Sequence, residues 1–262
     1  MATTQTNIFF QASGYVSQRN LPIIKNIEDI IYTEKFEQTS YDHWLFLDET
    51  PLVGRVNNRV LSLQGGATVP PVYSSEGMAL ANAKGSAMLT DLTDNSSTSI
   101  TAVYVTKCTT DTLHLLGMTL PNTNAPNENG FGAYLSGNKA YLNLKPLLAN
   151  SGGALQGLTN NQAITQAEFC ITAVSVNKST NEVILYTQQN GVESWVEGSF
   201  SGIYENMAKK IAVGNAYYNV ADSGAKTKYL EAIIFDRALE VDEIKGVASR
   251  SRVRLLNRNI VV

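Results

Sequence analysis

The side chains that could do covalent or acid–base chemistry are few and scattered. His43 and His114 are the two histidines, and they lie far apart with no serine or cysteine motif beside either. Gly-x-Ser-x-Gly, His-Glu-x-x-His and a phosphate-cradling glycine loop are all absent. The densest acidic run, Glu240-Val241-Asp242-Glu243, falls where a helix is expected to begin. Carboxylates there point apart and complement the helix dipole, so the run reads as a helix start. Cys108 and Cys170 are too few for a disulfide scaffold and badly spaced for zinc. Each sits beside an expected strand and reads as a small buried hydrophobe, and a bridge would need two spatially adjacent strands. Nothing in this inventory supports catalysis.

Residue types suited to binding are easier to find. A sugar is held by an aromatic plate against its apolar face and by planar amides or carboxylates at its hydroxyls. Two stretches offer that mix: Glu193 and Trp195 beside the Asn190-Gly191 turn, and Asn215, Tyr217, Tyr218, Asn219 and Asp222 in a second turn. These are the candidate carbohydrate-binding residues, with aromatic packing at a sheet edge as the plainer alternative. Asp91, Asp94 and Asn95 put oxygen ligands in one loop, and Asp48 and Glu49 in another. Calcium takes about 6–8 oxygens, so the first group is the candidate metal site and solvated turns are its competitor. Trp44, inside an apolar run, is expected in the core.

Charge excludes some classes. Charged residues make up 16% of the chain, with 20 basic and 23 acidic side chains for a net charge of −3. No basic face is available for nucleic acid. No apolar run approaches the ~20 residues that span a bilayer. The N-terminal MATTQTNIFFQASG lacks a basic region followed by a long apolar core, so synthesis in a cytoplasm without a signal peptide is expected.

The elements that must position these residues are mostly strands. Residues 1–40 read as an amphipathic arm, with Ile27, Ile30 and Ile31 on one helical face. From Tyr41 onward short apolar runs alternate with turns. They include Trp44 to Leu47, Val60 to Leu63, Gly77 to Leu80, Ala87 to Leu89, Ser99 to Val105 and Leu113 to Met118. Phe131 to Leu135 and Ala140 to Leu144 flank a Gly-Asn turn as a hairpin, and Phe169 to Val176 pairs with Glu182 to Tyr186 as a second. Loops are expected over 91–97, 122–130 and 150–162. Tyr229 to Phe235 is a largely buried strand, followed by a short acidic helical turn. The alternating arginines of the stretch from Arg250 to Arg258 predict a C-terminal edge strand. Many short strands and almost no helix predict an all-β, two-sheet antiparallel jelly-roll β-sandwich over 41–262.

Four stretches carry a family resemblance: Trp44 to Glu49, Ser99 to Val105, Phe169 to Tyr186, and Ile211 to Asn215 with Leu230 to Ile244. In this order they resemble the concanavalin A-like lectin/glucanase superfamily, in particular its laminin-G-like jelly-roll domains. The resemblance covers roughly residues 41 to 248 and implies the fold far more than the activity. Glycosidases of that superfamily carry Glu-x-Asp-x-x-Glu on a strand, and this chain does not. Laminin-G-like domains often bind calcium at the loop rim, which is the cofactor the resemblance implies. The expected function is therefore a non-catalytic carbohydrate-binding or adhesion module. With its low charge, Asn/Thr/Gly-rich loops and arm, the chain looks like a bacteriophage virion component, tail-associated or capsid-decorating. Its expected partners are a bacterial surface glycan, other virion proteins through the arm, and further copies of itself. A glycan-degrading enzyme of the same superfamily and a purely structural cementing protein are the alternatives.

Overall fold

The apolar runs become strands in the computed structural model, which describes residues 35–48, 50–67, 69–108, 113–118, 130–145, 156–204 and 208–262. In the first half these are β1 (Asp42–Leu45), β2 (Ser62–Leu63), β3 (Val72–Ser74), β4 (Gly77–Ala81), β5 (Ser86–Thr93), β6 (Ser99–Cys108) and β7 (His114–Met118). The second half adds β8 (Gly130–Ser136), β9 (Lys139–Lys145), β10 (Gln156–Asn160), β11 (Phe169–Asn177), β12 (Glu182–Gln189), β13 (Val192–Ser199), β14 (Lys210–Asn215) and β15 (Lys226–Phe235). One α-helix among the described residues, α1 (Val241–Leu256), follows. Most of the expected arm, and the expected loop over 122–130 apart from its last residue, lie outside the described residues.

Two sheets pack face to face as a β-sandwich. Sheet I has eight strands in the order β13-β12-β11-β6-β15-β4-β3, with β1 also pairing with β15. Sheet II has seven strands in the order β10-β9-β8-β7-β14-β5-β2. The pairings are antiparallel except β14 with β7. Between the sheets lie Trp44, Met78, Met88, Tyr104, Leu116, Phe131, Leu142, Leu185, Val213 and Tyr229. Trp44 is fully buried, as its apolar run predicts. Tyr104 and Tyr229 remain satisfied there because their hydroxyls donate to the Ala212 and Leu115 carbonyls of sheet II, at 3.1 and 2.6 Å.

β15 is the strand on which the sandwich closes. One edge pairs with β6 along its length, and the other is shared by β4 and β1. A bulge at Leu230 interrupts the register with β6 between Tyr229 and Glu231. Because strand side chains alternate, one extra residue sends two neighbours to the same face. Tyr229, Ala232 and Ile234 face sheet II, whereas Leu230, Ile233 and Phe235 face outward into a second apolar cluster. Glu231 goes outward with them. Close approach at the other edge depends on Gly77, at φ +95°, where a Cβ would strike the Tyr229 carbonyl.

That outer cluster is covered by α1, which makes a third layer. Ile244, Val247, Ala248, Ser251, Arg254 and Leu255 are its buried residues, spaced as one helical face. A capping box starts the helix, with the Glu240 amide donating to Glu243 Oε2 at 3.1 Å. The expected C-terminal edge strand is thus corrected: 250–256 is the end of a 16-residue helix, far longer than a helical turn. Five residues of Arg-x-Arg-x-Arg fit a two-residue period, but the apolar spacing from Ile244 to Leu255 fits 3.6 residues over a longer window. Two loops are corrected as well. β5 runs through Thr93, so Asp91 is on a strand, and β10 occupies part of 150–162. No described helix is long and apolar enough to cross a membrane.

Sheet I ends at β13, an edge strand that would otherwise expose backbone groups. Side chains on and just after β10 cover it. Gln156 Nε2 donates to the Ser201 carbonyl at 2.8 Å, Asn160 Nδ2 to Ser194 at 3.0 Å and Gln162 Nε2 to Val192 at 3.0 Å. Leu158 lies against Gly198 in the same series. Alternate residues of one strand thereby seal the edge of the opposite sheet, which discourages pairing with another chain.

Candidate functional site

The site begins from three side chains of β13. Glu193, Trp195 and Glu197 sit two residues apart and face the same way, outward from sheet I. Register places Trp195 opposite Tyr186, Glu197 opposite Ile184 and Ser199 opposite Glu182. One strand further in, Ser175 is level with Ile184 and Asn177 with Glu182. Against these rows stands the turn from Ala238 to Glu240 that leads into α1. Between them lies a groove of about 430 Å³, lined by Ser175, Asn177, Glu182, Ile184, Glu197 and Ser199 on the sheet side.

The turn wall is fixed by hydroxyls at the ends of β6 and β11. Ser99 Oγ accepts the Ala238 amide at 3.0 Å, and Thr101 Oγ1 and Ser175 Oγ accept the Leu239 amide at 2.9 and 3.1 Å. The Arg237 guanidinium grips both oxygens of Glu243 at 3.1 and 2.8 Å, holding that carboxyl below its ordinary range. The groove therefore has a rigid floor and wall. Its carboxylates, Glu182, Glu197 and Glu240, are solvent-exposed.

Trp195 flanks the groove. Its indole N–H donates to Glu197 Oε1 at 3.2 Å, and Lys245 Nζ lies 3.8 Å from the ring centroid. A cation over the face of tryptophan is attracted by the ring quadrupole. Lys245 also stands 3.9 Å from Glu193 Oε1 and 3.9 Å from Asp242 Oδ1. Tyr186 donates its hydroxyl to Glu193 Oε2 at 3.0 Å, and its pKa is pushed up by burial and then by that carboxylate. Trp195 keeps 39% of its surface exposed.

The candidate sugar-binding residues do not form one site. Glu193 and Trp195 are on sheet I, whereas Asn215 ends β14 of sheet II and Tyr217, Tyr218, Asn219 and Asp222 follow it. Asn215 is buried and its amide is committed inward. It donates to Asn82 O at 2.7 Å and Tyr218 O at 2.8 Å, and accepts the Tyr218 amide at 2.8 Å. Tyr217 packs beside Ala87, Ala212 and Ala216, and Tyr218 beside Leu115 and Tyr134. Asn219 is exposed, and Asp222 accepts the Gly224 amide at 2.9 Å as an Asx turn. Sequence reasoning missed Glu197, Glu182, Asn177, Ser175 and Ser199. The period-two continuation from Glu193 through Trp195 would have reached Glu197.

Asp91, Asp94 and Asn95 are not drawn together as an oxygen cage. Asp94 is buried and pairs with Lys178 Nζ at 2.8 Å, while the exposed Asp91 meets Lys210 Nζ at 2.9 Å. Asn95 Oδ1 accepts the Thr93 hydroxyl at 2.6 Å. A lysine ammonium occupies the place a cation would take beside Asp94. No group of three or more His, Cys, Asp or Glu that could hold a metal ion occurs among the described residues. In the other acidic turn, Asp48 is engaged by Arg55 and Arg258.

The histidines, Glu231 and the cysteines have structural surroundings. His43 Nε2 lies 2.7 Å from Glu231 Oε1, and His43 Nδ1 accepts the Glu37 amide at 3.2 Å, so the ring proton belongs on Nε2. Arg254 Nε donates to the same Glu231 oxygen at 2.8 Å. Burial would push the Glu231 carboxyl up, but its electrostatic and hydrogen-bond interactions with His43, and then with the Arg254 guanidinium, outweigh it and hold it at about 2. His114 is on sheet II beside Asn82 and Thr227, remote from His43 in the topology. Cys108 and Cys170 are free and buried, and burial pushes both thiols up to about 12. Such thiols are poor nucleophiles.

No protein-family model and no curated protein sequence matches this chain. Solved structures do match its fold. The binding domain of Paraclostridial Mosquitocidal Protein 1 superposes with a TM-score of 0.55 at 12% identity, covering 80% of this chain and 51% of that one. The botulinum neurotoxin type G receptor-binding domain gives 0.57 at 9% identity, covering 82% and 52%. The botulinum neurotoxin serotype D binding domain gives 0.56 at 14%, covering 83% and 52%. The chain thus spans about half the length of these neighbours, and at such identities the likeness is one of fold.

Proposed function

We propose that this chain is a non-catalytic recognition domain that holds a surface glycan in the groove between β13 and the start of α1. The observation that carries the reading is the outward row Glu193, Trp195 and Glu197 beside a rigid groove lined with hydroxyl, amide and carboxylate groups. A pyranose would stack on the part of Trp195 that Lys245 leaves exposed, and its hydroxyls would reach Glu197, Asn177 and Ser199. The structural neighbours are binding or receptor-binding domains, which agrees with recognition rather than turnover.

The enzyme alternative has one observation in its favour, that Glu182 and Glu197 line the same groove from adjacent strands. A glycosidase needs one carboxyl kept protonated, usually by an apolar enclosure. Glu182 and Glu197 are exposed, and Glu240 caps a helix. Binding is the better account.

We place this domain in a virion adhesion protein of a bacteriophage. Residues 1–40 would serve as its attachment segment, a bacterial surface glycan as its partner, and homo-oligomers would strengthen weak single contacts by multivalency. The support is the sequence character: low charge, loops rich in Asn, Thr and Gly, and an amphipathic N-terminal stretch. A glycan array with the whole chain, Trp195→Ala and Glu197→Gln tests the ligand. Binding that both substitutions reduce, with no reducing sugar released, is the expected result. Release of reducing ends would establish the enzyme, and silence on every glycan would leave the structural alternative.

A further inference from the structure

The hairpin of β8 and β9 places two tyrosines on the face of sheet II that points away from the core. Its turn, Gly137-Asn138, has positive φ at both residues (53° and 61°), and it fixes Tyr134 directly opposite Tyr141. Their rings stack with centroids 4.9 Å apart and planes 8° from parallel. That separation equals the spacing between neighbouring strands, so the stack runs across the sheet from β8 to β9. Tyr134 has its other neighbours in Leu115 and Tyr218. Tyr141 is the outer member, and its second face is turned toward β10, the edge strand.

The floor beside that face is low. Register puts Thr159 opposite Tyr141, and Gly157 opposite Asn143. Gly157 is exposed, and a Cβ built there would come within 3.1 Å of Asn143 Oδ1, so the amide oxygen overhangs a position with no side chain. The two register rows, Leu115-Tyr134-Tyr141-Thr159 and Gly132-Asn143-Gly157, contain no charged residue.

We propose that Tyr141, Asn143 and Thr159, over the Gly157 floor, form a second subsite for an uncharged pyranose, on the opposite sheet from the Trp195 groove. The Tyr141 ring supplies the plate, the Asn143 carbonyl accepts a sugar hydroxyl, and the Thr159 hydroxyl offers a second polar contact. The inference rests on the glycan reading above only for the class of ligand. Two subsites on one domain would let a single chain hold two segments of a surface polysaccharide.

The test uses the whole chain with carbon-13-labelled tyrosine, titrated with the methyl glycosides of glucose, mannose, galactose and N-acetylglucosamine. Expected is a saturable shift of the Tyr141 ring signals with at least one glycoside. It should persist in Trp195→Ala and weaken by about tenfold or more in Asn143→Ala, the loss of one hydrogen bond to a sugar with its partner stranded. Gly157→Val should block it by filling the floor. Preserved amide dispersion verifies that each variant folds. Sugar binding that Trp195→Ala abolishes, with Tyr141 signals unmoved throughout, overturns the second subsite and leaves the groove standing. No response from Tyr141 or Trp195 overturns both.

Discussion

Arg254 on α1 and Glu231 on β15 meet at 2.8 Å with neither side chain reaching solvent, and their pairing ties the helical layer to the central strand. The bulge at Leu230 makes this contact, because it turns Glu231 outward beside Leu230 instead of into the sandwich. Arg254 is further held by the Lys35 carbonyl at 2.7 Å and Ser251 Oγ at 2.9 Å, and Glu37 receives Arg250 through two bonds of 2.8 Å. One buried network thus gathers the chain at residue 35, the strand and the helix.

Arg254→Met should destabilise the protein by about 3–5 kcal/mol, because it leaves a buried carboxylate short of its compensating charge. Glu231→Leu should be comparably costly, stranding the guanidinium instead. The double variant Glu231→Leu/Arg254→Met should recover much of either loss, since it removes both charges together. Urea unfolding of the four proteins gives the coupling energy, and simple additivity would falsify the pairing as the origin of the effect.

Acid should find the same network. Glu231 has a folded pKa of about 2, below the ~4.3 of an unfolded glutamate. Its contribution to stability is complete above the unfolded value and is lost as pH falls from there through the folded one. Melting temperatures of the native chain should therefore drop between about pH 4.5 and pH 2. Glu231→Gln, less stable at neutral pH, should show a shallower fall across that window. Parallel curves would assign the acid limb to other carboxylates.

The positions of many strands were legible where apolar residues and turn residues alternate cleanly. Ser99 to Val105, the two hairpins and Tyr229 to Phe235 all became strands in the expected places. What escaped were features that depend on tertiary partners. β10 and the turn after it carry Gln156, Asn160 and Gln162, polar residues typical of a loop, which face a sealed edge because β13 and the residues just beyond it offer them carbonyls. The bulge at Leu230 leaves no local mark, since Tyr229 to Phe235 reads as one largely apolar run with no alternation whose phase could be seen to slip. The candidate site was half legible: Glu193 and Trp195 stood beside a recognisable Asn-Gly turn, but the groove needs rows from β11 and β12 that only register aligns. Tyr134 and Tyr141 were hidden in plain strands, although their phase opposite Ala133, Leu135, Ala140 and Leu142 marks them as outward.

The sealed edge makes its own prediction. A Cβ at Gly198 would lie 2.7 Å from Leu158 Cδ2, inside van der Waals contact. Gly198→Ala should push β10 away from β13 and cost about 1–3 kcal/mol, the usual penalty of overpacking. Adding Leu158→Ala opens the space, so the double variant should lose less than the sum of the two single changes. Hydrogen exchange at residues 192–199 reads the edge directly and should speed up in Gly198→Ala.

Lys245 is the residue whose removal should change Trp195 without disturbing the fold. It is partly exposed, its contacts with Glu193 and Asp242 are at 3.9 Å, and its ammonium rests over the indole. Such exposed pairs add little to stability, so Lys245→Met should shift the melting temperature by at most a few degrees. Trp44 is fully buried and Trp195 is not, so the two tryptophans separate by quenching with iodide. Loss of the cation should alter the intensity of the quenchable component alone. If Trp195 is the sugar plate, the variant should also bind its array ligand differently from the native chain, because the face that Lys245 occupied becomes available. An unchanged quenchable component would show that Lys245 does not sit on the ring in solution, and the groove would then have a tryptophan open on both sides.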